Sequence, residues 1–251
     1  MPIRAIAKGL VAKGYEVTFV SASKYQKIME EVGCDYVALE GYSDFTEADL
    51  ATGWPERDNY PPGPLQLAFD VEHFFVRVIP GQYEAAQKGL KMFSEKYPGR
   101  AVIQVNEGLF QGALPIVKGA PGIKPAGTLG IGVIPMCLNS IDCAAFGPGL
   151  PPDNSPEGQA RNKAMTDQIQ NEFFGKPQKV WEEIFTSLGA DTGGARLLDA
   201  PYLFPDRFLQ MCIPSAEYPR SDAPSSIRFG MFDVLLDLAQ SLRARALKTC
   251  L

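Results

Sequence analysis

Residues 2–21, PIRAIAKGLVAKGYEVTFVS, read as a helix, a glycine turn and a buried strand with no strand placed before them. Ile3, Ile6, Ala7, Leu10 and Val11 recur at the spacing of one helix face, Pro2 suits a first helical turn, and Gly14 suits the stop. An α/β chain ordinarily opens on a strand. Open α/β sheets put their ligand chemistry in the loops that follow the carboxyl ends of strands. The expectation is an α/β unit entered in its middle, its first strand and first ligand loop missing.

The same alternation continues. Lys24 to Val32 predicts a second helix and Tyr36 to Leu39 a second short strand, the pattern of a parallel sheet. From Glu40 to Pro64 the chain turns polar and Gly/Pro-rich, with Trp54-Pro55 and Pro61-Pro62-Gly63 blocking a long helix, so an irregular excursion is expected. Helices over Leu65 to Ile79 and Gln82 to Tyr97 should be separated at Pro80-Gly81, and the apolar run Ala101 to Val105 should be a buried strand. A short helix over Leu109 to Val117 and a fully buried strand over Gly127 to Pro135, whose glycines imply close packing, come next. Residues 144–158 form a second Pro/Gly loop, Gln159 to Leu188 a helix interrupted near Gly175-Lys176-Pro177, and Phe208 to Ile213 a last core strand. From Met231 to Leu247 the residues Phe232, Leu235, Leu236, Ala239, Leu242 and Ala246 make one apolar stripe. Early aspartates and late arginines there match the helix dipole, which predicts an appended amphipathic helix.

Composition narrows the function classes. With 29 acidic against 24 basic residues the net charge is −5, which offers no basic field for nucleic acid. No run of about 18 apolar residues is present and no secretory signal opens the sequence, so no transmembrane segment and a cytoplasmic setting are expected. Five cysteines without a CxxC pair predict free thiols rather than a disulfide framework or a zinc site.

His73 is the only histidine, and its aromatic and aliphatic neighbours in FDVEHFFVRV favour a packed structural role over catalysis. With Asp70 and Glu72 it makes a weak metal signal, so no metal is expected. There is no G-x-S-x-G elbow and no P-loop, and Gly130-Ile-Gly132 lies inside a strand rather than in a phosphate-binding turn, so no cofactor is expected either. The best-placed polar feature is VIQVNEGLF, residues 102–110, where Asn106 and Glu107 follow an apolar strand. Glu107 has a plainer reading as the cap of the next helix. Asn139-Ser140-Ile141-Asp142 follows the next strand, either as a second ligand-facing cluster or as turn chemistry. Phe74, Phe75 and Phe110 are candidates for an apolar cleft, or for plain core.

Residues 2–22, with Pro2 and the GYEVTFV run, resemble the first helix and second strand of UDP-sugar-dependent glycosyltransferases of the GT-B fold. Glu107 to Asp153 and EYPRSDAPSSIRFG, residues 217–230, resemble the fungal members in particular. The resemblance implies a Rossmann-like, mostly parallel sheet flanked by helices, like the amino-terminal half of such an enzyme. Residues 1–230 would be an acceptor-binding domain lacking its first strand, residues 231–251 an appended helix, and the donor-binding domain absent. It also implies sugar transfer from a UDP-sugar to a hydroxyl of a small apolar acceptor, of secondary-metabolite or sterol type. Glu107 stands where the family has the acid, usually Asp, that orients the general-base histidine. Asn106, Phe110, Ser140 and Asp142 are the candidate acceptor contacts. The base itself would precede Met1, so the isolated chain is expected to be inactive, and UDP-sugar is a partner only if a donor domain is supplied. The rival expectation is a non-catalytic small-molecule-binding or interaction module.

Overall fold

Helix α1 (Pro2–Ala12) stops as its sequence dictates. Gly14 takes φ +81°, its N–H reaches Val11 O and the Tyr15 N–H reaches Leu10 O, which closes the carbonyls of the last turn. The computed structural model describes residues 2–230, 234–237 and 240–241. Strand β1 (Thr18–Ser21), α2 (Gln26–Glu30) and β2 (Asp35–Ala38) follow, and the two strands pair in parallel.

The excursion after β2 is built from short turns, 3₁₀ at Gly41–Ser43, Glu47–Asp49 and Pro55–Asn59, with one α-helical turn, α3 (Leu50–Gly53). Helix α4 (Pro64–Asp70) passes into a π-helical stretch, Val71–Val76, and α5 (Ile79–Lys96) begins almost at once. The break expected at Pro80-Gly81 therefore falls earlier, at residues 77–78. Pro80 sits in the first turn of α5, where its missing N–H leaves no bond unmade. Gly81 is where the excursion touches the helix, since a Cβ there would lie 2.5 Å from Ser43 Oγ.

Strand β3 (Ile103–Glu107) begins and ends two residues later than its apolar run suggests, so Asn106 and Glu107 are its last two residues. A 3₁₀ turn (Gln111–Ala113), α6 (Leu114–Val117) and the wholly buried β4 (Gly127–Gly132) follow. Helix α7 (Pro156–Ile169) continues through a π turn (Gln170–Phe174) into α8 (Gly175–Ser187). The expected interruption is thus absorbed by one wide turn, and Pro177 falls in the first turn of α8. A short α9 (Ala200–Leu203) leads to β5 (Arg207–Gln210), which stops three residues before the expected end, and β6 (Ile227–Phe229) was not foreseen.

The strands form two parallel sheets rather than one, β1-β2 and β3-β4-β5-β6. Helix α1 serves both. Its Ile6 packs with Leu129, Ile131 and Leu209, while Ala7 packs with Phe19 and Met29. A separate helical core joins Val76, Ile79, Leu114, Phe174, Trp181 and Phe185. Of the expected tail helix, residues 234–237 and 240–241 are helical and Leu235 is fully buried against the second sheet; Phe232, Ala239, Leu242 and Ala246 lie outside the described residues.

Candidate functional site

The strand ends of the second sheet carry the polar residues singled out in the sequence. Glu107 closes β3. The chain turns at once: the Phe110 N–H returns to Glu107 O at 2.9 Å, and the Gly108 N–H still pairs with Ile131 O of β4. Glu107 Oε2 accepts the Leu109 N–H at 3.0 Å, whereas Oε1 is buried with no hydrogen-bond partner among the described residues. Burial pushes this carboxyl up to about 7, against the pull of the Leu109 and Gly108 amides. The cap reading is met only locally, since the carboxylate holds its own turn and the next helical turn starts at Gln111. A carboxyl titrating near neutrality at the end of a parallel strand is suited to accept or donate a proton or to orient a base.

Asn106 is buried, and strand alternation turns its side chain to the opposite face from Glu107. Phe110 is half-buried on the turn. The three phenylalanines do not converge. Phe74 stacks edge-on against Trp54 and touches Phe45, Phe75 packs on the helical core, and Phe110 stays with β3.

Ser140 and Asp142 lie in the segment after β4 and bind each other's surroundings. Ser140 Oγ donates to Asp222 Oδ1 at 2.6 Å and accepts the Asp142 N–H at 3.1 Å. Asp142 accepts the Ser221 N–H at 2.6 Å and Gln159 Nε2 at 3.1 Å, and these bonds hold its carboxyl below the usual range. Both residues thereby pin the segment after β4 to the one after β5, and no hydrogen bond among the described residues joins them to Glu107.

These two segments line two cavities. One of about 560 Å³ is lined by Met136, Pro214, Glu217, Tyr218, Arg220 and Phe229, and one of about 340 Å³ by Asp142, Pro152, Asn154, Arg220 and Ser221. Buried Arg220 donates to Met136 O and Leu138 O, and Glu217 accepts the Met136 N–H and Gln210 Nε2. The sequence reading gave Glu217 and Arg220 no role of their own. Their signal was two opposite charges three residues apart in a segment of prolines and small residues.

His73 takes the structural place expected of it, in the π-helical stretch. Its ring stacks on Phe69 with centroids 4.1 Å apart, and Nδ1 lies 3.1 Å from Tyr42 OH, which itself accepts Trp54 Nε1–H at 2.9 Å. Glu72 beside it is buried between Arg77 at 2.5 Å and Lys176 at 2.9 Å, and Asp70 is held by Arg57. Among the described residues no group of three or more His, Cys, Asp or Glu is placed to hold a metal ion. Among them, too, no helix is long and apolar enough to cross a membrane.

No protein-family model matches the chain. Among characterised proteins it is similar to UDP-glycosyltransferase 2 of Phaeomoniella chlamydospora, 40% identical over 227 residues covering 90% of this chain and 49% of the relative. It is also similar to UDP-glucosyltransferase A1 of Starmerella bombicola, 37% identical over 229 residues covering 91% of this chain and 48% of the relative. The chain spans about half the length of these curated relatives. Among solved structures it is similar to the glycotransferase of kitacinnamycin, with a TM-score of 0.50 and 14% identity over 91% of this chain and 46% of that one, a likeness that concerns the fold alone.

Proposed function

We propose, from a chain that belongs to the UDP-glycosyltransferase family and corresponds to its amino-terminal half, that residues 1–230 are the acceptor side of a sugar-transfer reaction. In that reaction a hydroxyl of a small apolar acceptor, of secondary-metabolite or sterol type, attacks the anomeric carbon of a UDP-sugar. The bond from that carbon to the diphosphate oxygen breaks, UDP leaves with the electron pair, and the hydroxyl proton passes to a base. Glu107 is the residue we assign to orienting that base, because its carboxyl is buried, raised to about 7 and only half satisfied at a strand end. The acceptor contacts are assigned to Asn106 and Phe110 beside it and to the Ser140–Asp142 segment. A cytoplasmic setting belongs to the same proposal.

One observation carries the reading: 40% identity runs through nine-tenths of this chain yet through only half of the relative. Groups that hold the UDP-sugar therefore belong, in this proposal, to the half of the relatives that these 251 residues do not match, and the chain alone does not turn over. No observation favours the non-catalytic module.

The test is a transfer assay with UDP-glucose and a panel of hydroxylated apolar acceptors, run with the purified chain alone and after addition of the separately produced carboxyl-terminal half of UDP-glycosyltransferase 2. Acceptor binding by the chain alone, seen as quenching of tryptophan emission, with glucosylated product formed only in the mixture, supports the reading. Turnover by the chain alone would overturn its inactivity, and failure to bind any of the acceptors would overturn the acceptor assignment.

A further inference from the structure

Residues 213–224, IPSAEYPRSDAP, carry prolines at 214, 219 and 224, so the segment after β5 can neither extend a ladder nor become a long helix. Two side chains three residues apart hold its shape instead. Arg220 spends its guanidinium on backbone: Nη2 donates to Met136 O at 2.9 Å, Nε to Leu138 O at 3.2 Å and Nη1 to Tyr218 O at 3.2 Å. Glu217 Oε1 accepts the Met136 N–H at 3.0 Å and Gln210 Nε2–H at 2.9 Å. The two charges meet loosely, since Arg220 Nη1 stands 3.6 Å from Glu217 Oε2, and among the described residues no hydrogen bond reaches Oε2. Both side chains are more than nine-tenths buried, at 7% and 8% exposure, and both line the cavity of about 560 Å³.

This cavity has the make-up of a small-molecule site. Met136, Ala223, Ile227 and Phe229 give it apolar walls, with half-exposed Tyr218 beside them. Its volume falls in the range of about 300–1,000 Å³ in which small ligands are held, mostly by apolar contact with a few polar anchors. Glu217 Oε2 is such an anchor, an acceptor that keeps its lone pairs for whatever enters. The charge of the occupant follows from the neighbours. Arg220 already balances Glu217, so an ammonium would bring an uncompensated charge into a buried site and an anion would meet the carboxylate. A neutral hydroxyl supplies a donor without adding charge, and its bond to a carboxylate is of the strong, charge-assisted kind. The cavity is also separate from the strand end that carries Glu107. Glu107 is in register with Ile131, Ile131 with Leu209 and Leu209 with Arg228, so the four share one face of the sheet. Ile227 and Phe229 flank Arg228 in β6 and lie on the other face, three strand spacings of about 4.8 Å away from β3.

We propose that this cavity is a second, non-catalytic binding site for a small neutral molecule with an apolar body and one hydroxyl, an alcohol or a phenol. The hydroxyl donates to Glu217 Oε2, and Met136, Ile227 and Phe229 cover the body. The occupant ties the segment after β4 to the segment after β5, adding to the link that Arg220 and Glu217 already make through Met136. The proposal concerns the far edge of the sheet and stands whether or not the chain takes part in sugar transfer.

The test uses the full chain and 2-naphthol, with 2-methoxynaphthalene, which has the same rings and no O–H, as the control. With methionine methyls labelled for NMR, 2-naphthol should shift the Met136 signal, identified by its disappearance in Met136→Leu, and calorimetry should show at least tenfold weaker binding of the control. Glu217→Gln keeps an oxygen for the Met136 and Gln210 N–H groups but puts a donor where the free acceptor was. In that variant 2-naphthol should lose at least tenfold in affinity and 2-methoxynaphthalene should lose nothing. If it does not fold, Ala223→Leu fills the cavity from an apolar wall and should weaken both compounds at least tenfold. No shift at Met136, equal affinity for the two compounds, or a loss of 2-naphthol binding in Glu107→Gln with none in Glu217→Gln would each overturn the proposal. The last result would put the hydroxyl at the end of β3 and leave the sugar-transfer reading in place.

Discussion

A carboxyl raised toward neutrality by burial makes folding depend on pH in a fixed direction. Glu107 holds its proton more tightly folded than unfolded, so its contribution is full below the ordinary value of 4.5 and is lost as pH climbs through about 7. In Glu107→Gln that slope disappears: the difference in Tm between variant and wild type should move in favour of the variant from pH 5 to pH 8, measured by thermal denaturation. A constant difference would mean that the carboxyl is not raised. His73 acts in the opposite sense. Burial lowers it from 6.5, against the pull of Glu72, so the folded state prefers the neutral ring and stability is lost as pH falls below 6.5. Trp54 Nε1–H can only donate to Tyr42 OH, which leaves the tyrosine proton for His73 Nδ1, and protonating the ring removes that acceptor. As the only histidine, its NMR titration is free of overlap, and a midpoint above 6.5 would refute this account. What the sequence showed here was the residue type and its place after an apolar run. It did not show that β3 would keep Glu107 inside the strand, because the apolar run stops at Val105 while the hydrogen-bond ladder with β4 continues to Ile131.

At the level of elements, the glycines of β4 were readable as close-packing sites, and the structure gives the reason. A Cβ on Gly130 would lie 2.6 Å from Phe208 Cδ2, on a ring that is itself buried, so there is nowhere for it to move. Gly130→Ala should therefore cost about 1–3 kcal/mol in denaturant unfolding. Adding Phe208→Leu should make the pair cost less than the sum of the singles, since the two changes share one contact. Strict additivity would place the strain elsewhere. The proline signals were read correctly as constraints, but the breaks fall just before the prolines rather than at them. Pro80 and Pro177 both fall in the first turns of helices, where a proline is tolerated. The π turns that rejoin α4 toward α5 and α7 to α8 have no sequence signature of their own, since one extra residue in a turn leaves the apolar period nearly intact. Strand β6 was missed for a related reason: three residues, Ile227–Phe229, are too few to show alternation.

At the scale of the whole molecule, parallel sheets flanked by helices were legible from the alternation of strands and helices, but the division into two sheets was not, because pairing is a long-range property that local pattern does not encode. The same holds for the tail. Its stripe predicted a helix without saying what the helix covers, and the described part answers with Leu235, which is fully buried among Ile6, Leu129, Ile131 and Leu209. With Ile103 and Val105 of β3 packed against it as well, one cluster that includes Leu235 joins α1 to β3, β4 and β5. Leu235→Ala removes the atoms that close it, and a fully buried leucine packed in a hydrophobic cluster leaves a cavity when truncated, so the loss should be about 2–5 kcal/mol. For a chain of this length that corresponds to a fall in Tm of roughly 2–4 °C for each kcal/mol. Removal of residues 231–251 should lower Tm at least as far, because it takes Leu235 with it, and should lower solubility by exposing the apolar patch it covered. A tail-deleted chain with unchanged Tm would show that the second sheet is sealed without it, and Leu235→Ala would then have to be silent as well.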